Sequence, residues 1–251
     1  MAASVFDSPM FAKSYPTGEA ARLFSDSAAV RAILLVLGSL AKAQGSLGVA
    51  PEDSAFFIHR SSMEVQIDPA GLDLLNDGFA GAVTKAFQKA MEAPEHAQFI
   101  QYEVAADQIE AAGLALRMRQ FLTYCAKRLQ ESPFEAESLI KQLETIKSET
   151  IGLYITTDQK VAEAVSDALR LKVLSEPLEI SPIAEIAQTI VAFIVQSVPN
   201  TPHLQQLDAF ANALAQALKD NPQSMAPLCL PQLCLSAAAA LELVAGPSQA
   251  D

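Results

Sequence analysis

The sequence predicts an all-α protein built as a bundle of long antiparallel helices. Three observations carry this. Hydrophobic residues make up 51% of the 251-residue chain and charged residues only 18%. Alanine, the best helix former, supplies much of that apolar content. Apolar positions recur at three- and four-residue steps, and Val-, Ile- or Thr-rich alternation of the strand kind is scarce.

The stretch Ala97–Phe121 organises the chain: a polar, loop-like entry followed by a long amphipathic helix. From Gln108, the residues Ile109, Ala112, Gly113, Leu116, Gln120, Thr123 and Tyr124 fall on one side. Leu114, Met118, Phe121, Leu122 and Cys125 widen that stripe, which predicts a helix buried over most of its circumference.

The other elements follow in order. Residues 1–18 read as an extended arm, with Pro9 and Pro16 opposing helix and Phe6, Met10 and Phe11 available as anchors. A helix capped by Ser25 or Asp26 carries Val30, Ile33, Leu34, Leu37, Leu40 and Ala41 and ends near Gly45–Gly48. Residues 53–60 suggest a short helix. A helix over 72–91 is expected to break at Gly78 or Gly81. Ser132-Pro133-Phe134-Glu135 reads as a capping-box start for a helix with Leu139, Ile140, Leu143 and Ile146. Residues 149–160 alone have strand character and are read as loop or a short extended segment. A helix over about 158–171 follows. Ser181-Pro182 and Thr201-Pro202 repeat the cap-then-proline start, and a short last helix is expected from Leu230 to Val244. Residues 247–251 read as a disordered tail. No linker or repeat interrupts 1–251, which reads as a single helical domain.

Composition excludes several classes. With 29 acidic and 17 basic residues the formal charge is −12. No Lys/Arg cluster offers phosphate contacts, so neither nucleic acid nor an anionic membrane surface is an expected partner. The most apolar windows, 33–37 and 190–195, read as too short to cross a bilayer. There is no leader-like N-terminus, and three cysteines suit a reducing compartment. The expectation is a soluble cytoplasmic protein.

Spacing alone yields no active site. His59, His96 and His203 lack metal-type neighbours, and Cys229 and Cys234 match no zinc pattern, so no metal or cofactor is expected. Nucleotide-binding glycine motifs and the G-x-S-x-G elbow are absent from the sequence.

Several segments nevertheless resemble one family, the 3-carboxy-cis,cis-muconate cycloisomerases of the fumarase/aspartase/adenylosuccinate lyase superfamily. AAVRAILLVLGSLAKAQGSLGV (28–49) is similar to the family's first long helix, A-x-VRAML-x-VE-x-ALA-x-x-Q-x-x-LG. FIHRSSMEVQIDPAGL (57–72) and AMEAPEHAQFI (90–100) continue the likeness. IAEIA (183–187) resembles the start of a central bundle helix, and LPQLCLSAAAAL (230–241) resembles LPQLCL-x-x-AAAL. The resemblance implies a contracted version of the superfamily fold. Residues 1–100 would correspond to the family's N-terminal region and 101–246 to a reduced central bundle.

The family builds its site from three segments. The first, HWGATSQD-x-x-DTGL, lines up on residues 101–114. Gln101 and Tyr102 stand for its histidine and tryptophan, Glu103 for glycine, and Ala105-Ala106 for Thr-Ser. Asp107-Gln108 replace Gln-Asp, and Ala111-Ala112 replace Asp-Thr, while Gly113 and Leu114 remain. Methyl groups cannot bond a substrate carboxylate as hydroxyls and imidazole do, and Glu103 and Asp107 would repel one. The second segment, RT-x-x-QHA-x-P, has no counterpart after Gln130. The third, the loop GSS-x-MP-x-K-x-NP, is missing between Gln196 and Pro202.

The resemblance therefore implies a catalytically inactive relative acting as a binding or assembly subunit, with no catalytic residue assigned. It would form a homo-oligomer, or a hetero-oligomer with an intact relative, since apolar helix faces beginning near Gln108, Pro182 and Pro202 exceed what a monomer hides. The alternative is a residual lyase or cycloisomerase acting on a small polycarboxylate. Its substrate-binding candidates, by position, are Gln101, Tyr102, Glu103, Asp107 and Gln108, with Arg60 as a further, secondary candidate.

Overall fold

The computed structural model describes residues 4–245, and nearly all its regular structure is helical, as the composition requires. In chain order the helices are α1 (Asp26–Ser46), α2 (Glu52–Glu64), α3 (Leu74–Met91), α4 (Pro94–Ala97), α5 (Ala106–Glu131), α6 (Glu137–Glu149), α7 (Gln159–Leu169), α8 (Ser181–Ser197), α9 (Pro202–Asp220) and α10 (Pro222–Ala245). The strands β1 (Gly152–Leu153) and β2 (Lys172–Val173) form one parallel pair. Contacts divide the chain into two compact units, and the chain passes between them after residues 24, 118, 150 and 178, the second crossing falling within α5.

The first unit holds the N-terminal segment to Phe24, Arg119–Thr150 and the chain from Glu179 onward. Its core is α8, α9 and α10 packed on one another, with the second half of α5 bonded to α10 through Tyr124 and Arg128. Ile183, Ile186, Ile190 and Ile194 of α8 meet Leu204, Leu207, Ala211 and Leu218 of α9 and the buried run 233–241 of α10. Here the faces expected to need a partner are largely covered inside the chain.

The second unit holds Ser25–Met118 and Ile151–Leu178. α1 and α2 form an antiparallel pair, and α7 packs on α1 through Val161 and Val165. The Ser25 hydroxyl caps α1 by accepting from the Ala28 N–H at 3.2 Å. α3 breaks where expected, at Gly78 (φ 65°), and continues unbroken through Gly81.

Several expectations are corrected. The arm is a run of turns, Phe11 N–H to Ser8 O and Tyr15 N–H to Phe11 O among them, rather than extended chain. Phe6 and Tyr15 anchor it, while Met10 and Phe11 stand exposed. The segment 53–60 lies within a helix of 13 residues. α6 starts at Glu137, not Pro133. The Ser132 hydroxyl instead donates to Leu129 O at 2.7 Å, closing the end of α5, and Phe134 is held edge-on against Phe193. Ser181 and Thr201 form no side-chain cap, although the prolines do sit in the first turns of α8 and α9.

The last helix begins at Pro222, eight positions earlier than expected, and runs through Pro227 and Pro231. The hydrogen bonds these prolines forfeit would have gone to the carbonyls of Gln223 and Pro227, both exposed residues of the first two turns, where water can take their place. Short apolar windows also understated the helices: Asp26–Ser46 and Pro222–Val244 are long and apolar enough to cross a membrane by length and composition. In both, 61% of the most apolar window is buried against the rest of the protein. Residues 247–251, expected as a tail, lie outside the described residues.

Candidate functional site

The residues singled out by position gather at the head of α5, in the second unit. Between α4 and α5 the chain makes a tight turn in which Gln101 and Glu103 both adopt left-handed φ, 58° and 56°. Such values cost a residue with a Cβ and persist only where surrounding bonds impose them. Those bonds are present. The Gln101 amide accepts from the Thr84 hydroxyl at 2.9 Å and donates to Val104 O at 3.1 Å. Tyr102 O accepts from the amide of Gln44, which is fully buried in α1, at 2.7 Å. The Tyr102 ring packs against Phe99 with centroids 5.8 Å apart.

Gln108 is buried at the start of α5, and its side chain is committed to Thr156. The amide nitrogen donates to the Thr156 hydroxyl at 3.0 Å, and the amide oxygen accepts from the Thr156 N–H at 3.1 Å. This bidentate link ties the head of α5 to the segment after β1. Asp107 is exposed, and its carboxylate accepts from the Gln108 N–H at 3.0 Å, near the positive end of the helix. Glu103 is exposed at the tip of the turn. Gly113 keeps the approach to α1: a Cβ there would lie 2.9 Å from Ile33 Cδ1.

Arg60 does not join this group by any bond of its own. It lies on the solvent side of α2, its guanidinium 2.9 Å from Glu64. The histidines are local fixtures. His59 Nδ1 bonds Gly38 O at 3.1 Å, His96 Nδ1 bonds the Ser54 hydroxyl at 3.0 Å, and His203 packs edge-on to Tyr15. Cys125, Cys229 and Cys234 are buried thiols. No group of three or more His, Cys, Asp or Glu side chains with metal-binding geometry occurs among the described residues.

Gln44, Thr84 and Thr156, which hold the turn and the α5 head, were not singled out by position. Gln44 had a legible signal, a glutamine placed in register with Leu37, Leu40 and Ala41 on a core face and retained in the VRAML-type helix pattern. Thr84 and Thr156 had none, because their partners lie 17 and 48 residues away.

With this geometry in hand, solved structures give close matches. The β-carboxy-cis,cis-muconate cycloisomerase of Acinetobacter calcoaceticus sp. ADP1 superposes with a TM-score of 0.82 over 94% of this chain and 76% of that one, at 16% identity. The 3-carboxy-cis,cis-muconate lactonizing enzyme of Pseudomonas putida matches at 0.82 over the same shares, at 14% identity.

The fold is that of the fumarase/aspartase superfamily.

A fumarate lyase from Mesorhizobium sp. BNC1 matches less closely, with a TM-score of 0.65, 12% identity and 89% and 72% coverage. No family model matches the sequence, and no curated protein matches it. At these identities the superfamily likeness is one of fold. The connections 132–136 and 198–201 in this chain are short, five and four residues between consecutive helices.

Proposed function

We propose that the chain is a catalytically inactive relative of the muconate cycloisomerases that serves as a binding or assembly subunit in the cytoplasm. One observation carries this reading: at the head of α5 the polar side chains of Gln101 and Gln108 are spent on Thr84, Val104 and Thr156. Elimination or cycloisomerisation needs a positioned base and an anion-stabilising shell. What remains solvent-facing at this turn is Glu103 and Asp107, two carboxylates that repel a polycarboxylate.

The short connections 132–136 and 198–201 support the same reading, since neither has room for the family's second or third segment. For assembly, apolar surface is available on α2, where Phe56 and Met63 stand more than half exposed on one side, and at the start of α3, where Leu75 is 99% exposed, with Leu228 of α10 exposed as well. A homo-oligomer, or a hetero-oligomer with an intact lyase, would cover such side chains.

Purified protein incubated with 3-carboxymuconate, fumarate and argininosuccinate-type substrates should show no turnover. Turnover that Asp107→Ala abolishes would replace this reading with that of a lyase whose site has been rebuilt on the turn. Native mass spectrometry at micromolar concentration should show a dimer or larger species, alone or with a lyase homologue from the same cells. A clean monomer in both settings removes the assembly role.

A further inference from the structure

The first unit contains a groove of about 480 Å³ between the N-terminal turns, α9 and α10. That is the size of a small-molecule site. Its polar lining is arranged in a specific way. The Tyr15 hydroxyl donates to the Gln206 amide oxygen at 2.5 Å, and the Ser4 hydroxyl donates to the Gln232 amide oxygen at 2.9 Å. His203 Nδ1 also lies 3.4 Å from the Gln206 oxygen, and with each amide oxygen engaged in this way the –NH2 is the end left over. Neither amide nitrogen finds an acceptor among the described residues.

The rest of the lining is apolar. Val5, Leu207 and Phe210 contribute to it, and the Phe210 ring, 40% exposed, has Phe6 at 6.5 Å behind it. No Lys, Arg, Asp or Glu is among the residues lining the groove. Donors without a cation favour an uncharged acceptor, because a carboxylate would lose its hydration with no opposite charge to offset it.

We propose that this groove binds a small uncharged carbonyl compound with a flat apolar body. The carbonyl oxygen takes N–H bonds from Gln206 and Gln232, and the body lies against Phe210 and Leu207. No covalent step is involved. The site is independent of the head of α5, so it stands or falls separately from the assembly reading.

The test is an NMR titration of the 15N-labelled full chain with acetophenone as probe and benzoate as its charged counterpart. The two side-chain amide signals lost in Gln206→Leu and Gln232→Leu identify the donors. Acetophenone should move both, and each substitution should weaken its binding about three- to tenfold, the worth of one hydrogen bond. Gln206 and Phe210 are exposed, so Gln206→Leu and Phe210→Ala can be made without disturbing the core. The proposal is overturned if acetophenone leaves both signals unmoved near its solubility limit. It is equally overturned if these two variants bind like the parent, or if benzoate binds more tightly than acetophenone.

Discussion

Gly38 of α1 and Ser62 of α2 meet with no room between them: a Cβ on residue 38 would lie 2.9 Å from the Ser62 Cβ and closer still to its hydroxyl oxygen. One turn-pair further along, a Cβ on Gly45 would strike the Ala55 side chain. These two glycines set the approach of the antiparallel α1–α2 pair. The contact is also hydrogen-bonded, with His59 Nδ1 on Gly38 O at 3.1 Å and the Arg31 guanidinium on Ser62 O at 2.6 Å.

Gly38→Ala should therefore destabilise the protein despite alanine's better helix propensity. Overpacking of this kind costs about 1–3 kcal/mol, set against a gain of roughly 1 kcal/mol from replacing glycine in a helix. Urea denaturation should show a net loss for Gly38→Ala and a larger one for Gly38→Val. Adding Ser62→Gly to Gly38→Ala should restore part of it. A Gly38→Ala protein more stable than the parent would mean that α1 and α2 separate at no cost.

Gln108→Leu should cost about 1–3 kcal/mol, because it deletes both bonds that tie the head of α5 to Thr156, each worth about 0.5–1.5 kcal/mol. Asp107→Ala, one residue earlier and exposed, should stay within about 0.5–1 kcal/mol of the parent. Comparing the two by thermal melting separates the residue that holds the α5 head from its solvent-facing neighbour. Equal losses would contradict the assignment.

In the first unit Glu242 accepts from the Tyr124 hydroxyl at 2.6 Å and from Arg128 at 3.0 Å, with little of either charged side chain exposed. Glu242→Leu leaves the Arg128 charge buried beside Glu131 alone. A loss of about 3 kcal/mol is expected, measurable by denaturant titration. The double substitution Glu242→Leu with Arg128→Met should recover much of that loss, since it removes both charges. No recovery would show that the pair is not coupled.

The same cluster makes the protein sensitive to base. Burial, then the hydrogen bond and charge of Glu242, push the Tyr124 hydroxyl well above its ordinary pKa of 10.0. Burial does the same to the Cys125 thiol, above its ordinary 9.0. Both groups hold their protons in the folded state and release them on unfolding. Their contribution is intact below the unfolded values and is lost as pH rises past about 9 and then 10. Stability measured from pH 7 to 11 should fall from about pH 9. Tyr124→Phe should flatten the part above pH 10, and Cys125→Ala the part that begins near 9. A profile unchanged in both variants would contradict this.

How much was legible varies by element. Helix faces were readable where one stripe recurs, as in Ile183–Ile194 of α8 and Leu204–Leu218 of α9, because burial follows the 3.6-residue period wherever helices stack. Helix starts were less legible. Ser132-Pro133 has the composition of a start, yet Ser132 closes α5 and Phe134 is drawn to Phe193. Pro227 and Pro231 look like stops, yet the helix runs through them because its first turns face water. β2 went unread because two residues carry no period; only pairing with Gly152–Leu153 makes Lys172–Val173 a strand.

At the head of α5, the sequence alone determined the helix, its apolar stripe and the substituted identities from Gln101 to Ala112. It could not say where their polar groups went. Only the tertiary structure decided that Gln101 bonds Thr84, Gln44 holds Tyr102 and Gln108 grips Thr156, leaving Asp107 and Glu103 to solvent. The reason is physical: hydrophobic period is a local property of the chain, whereas a hydrogen-bond partner is chosen by which segments the packed helices bring within 3 Å.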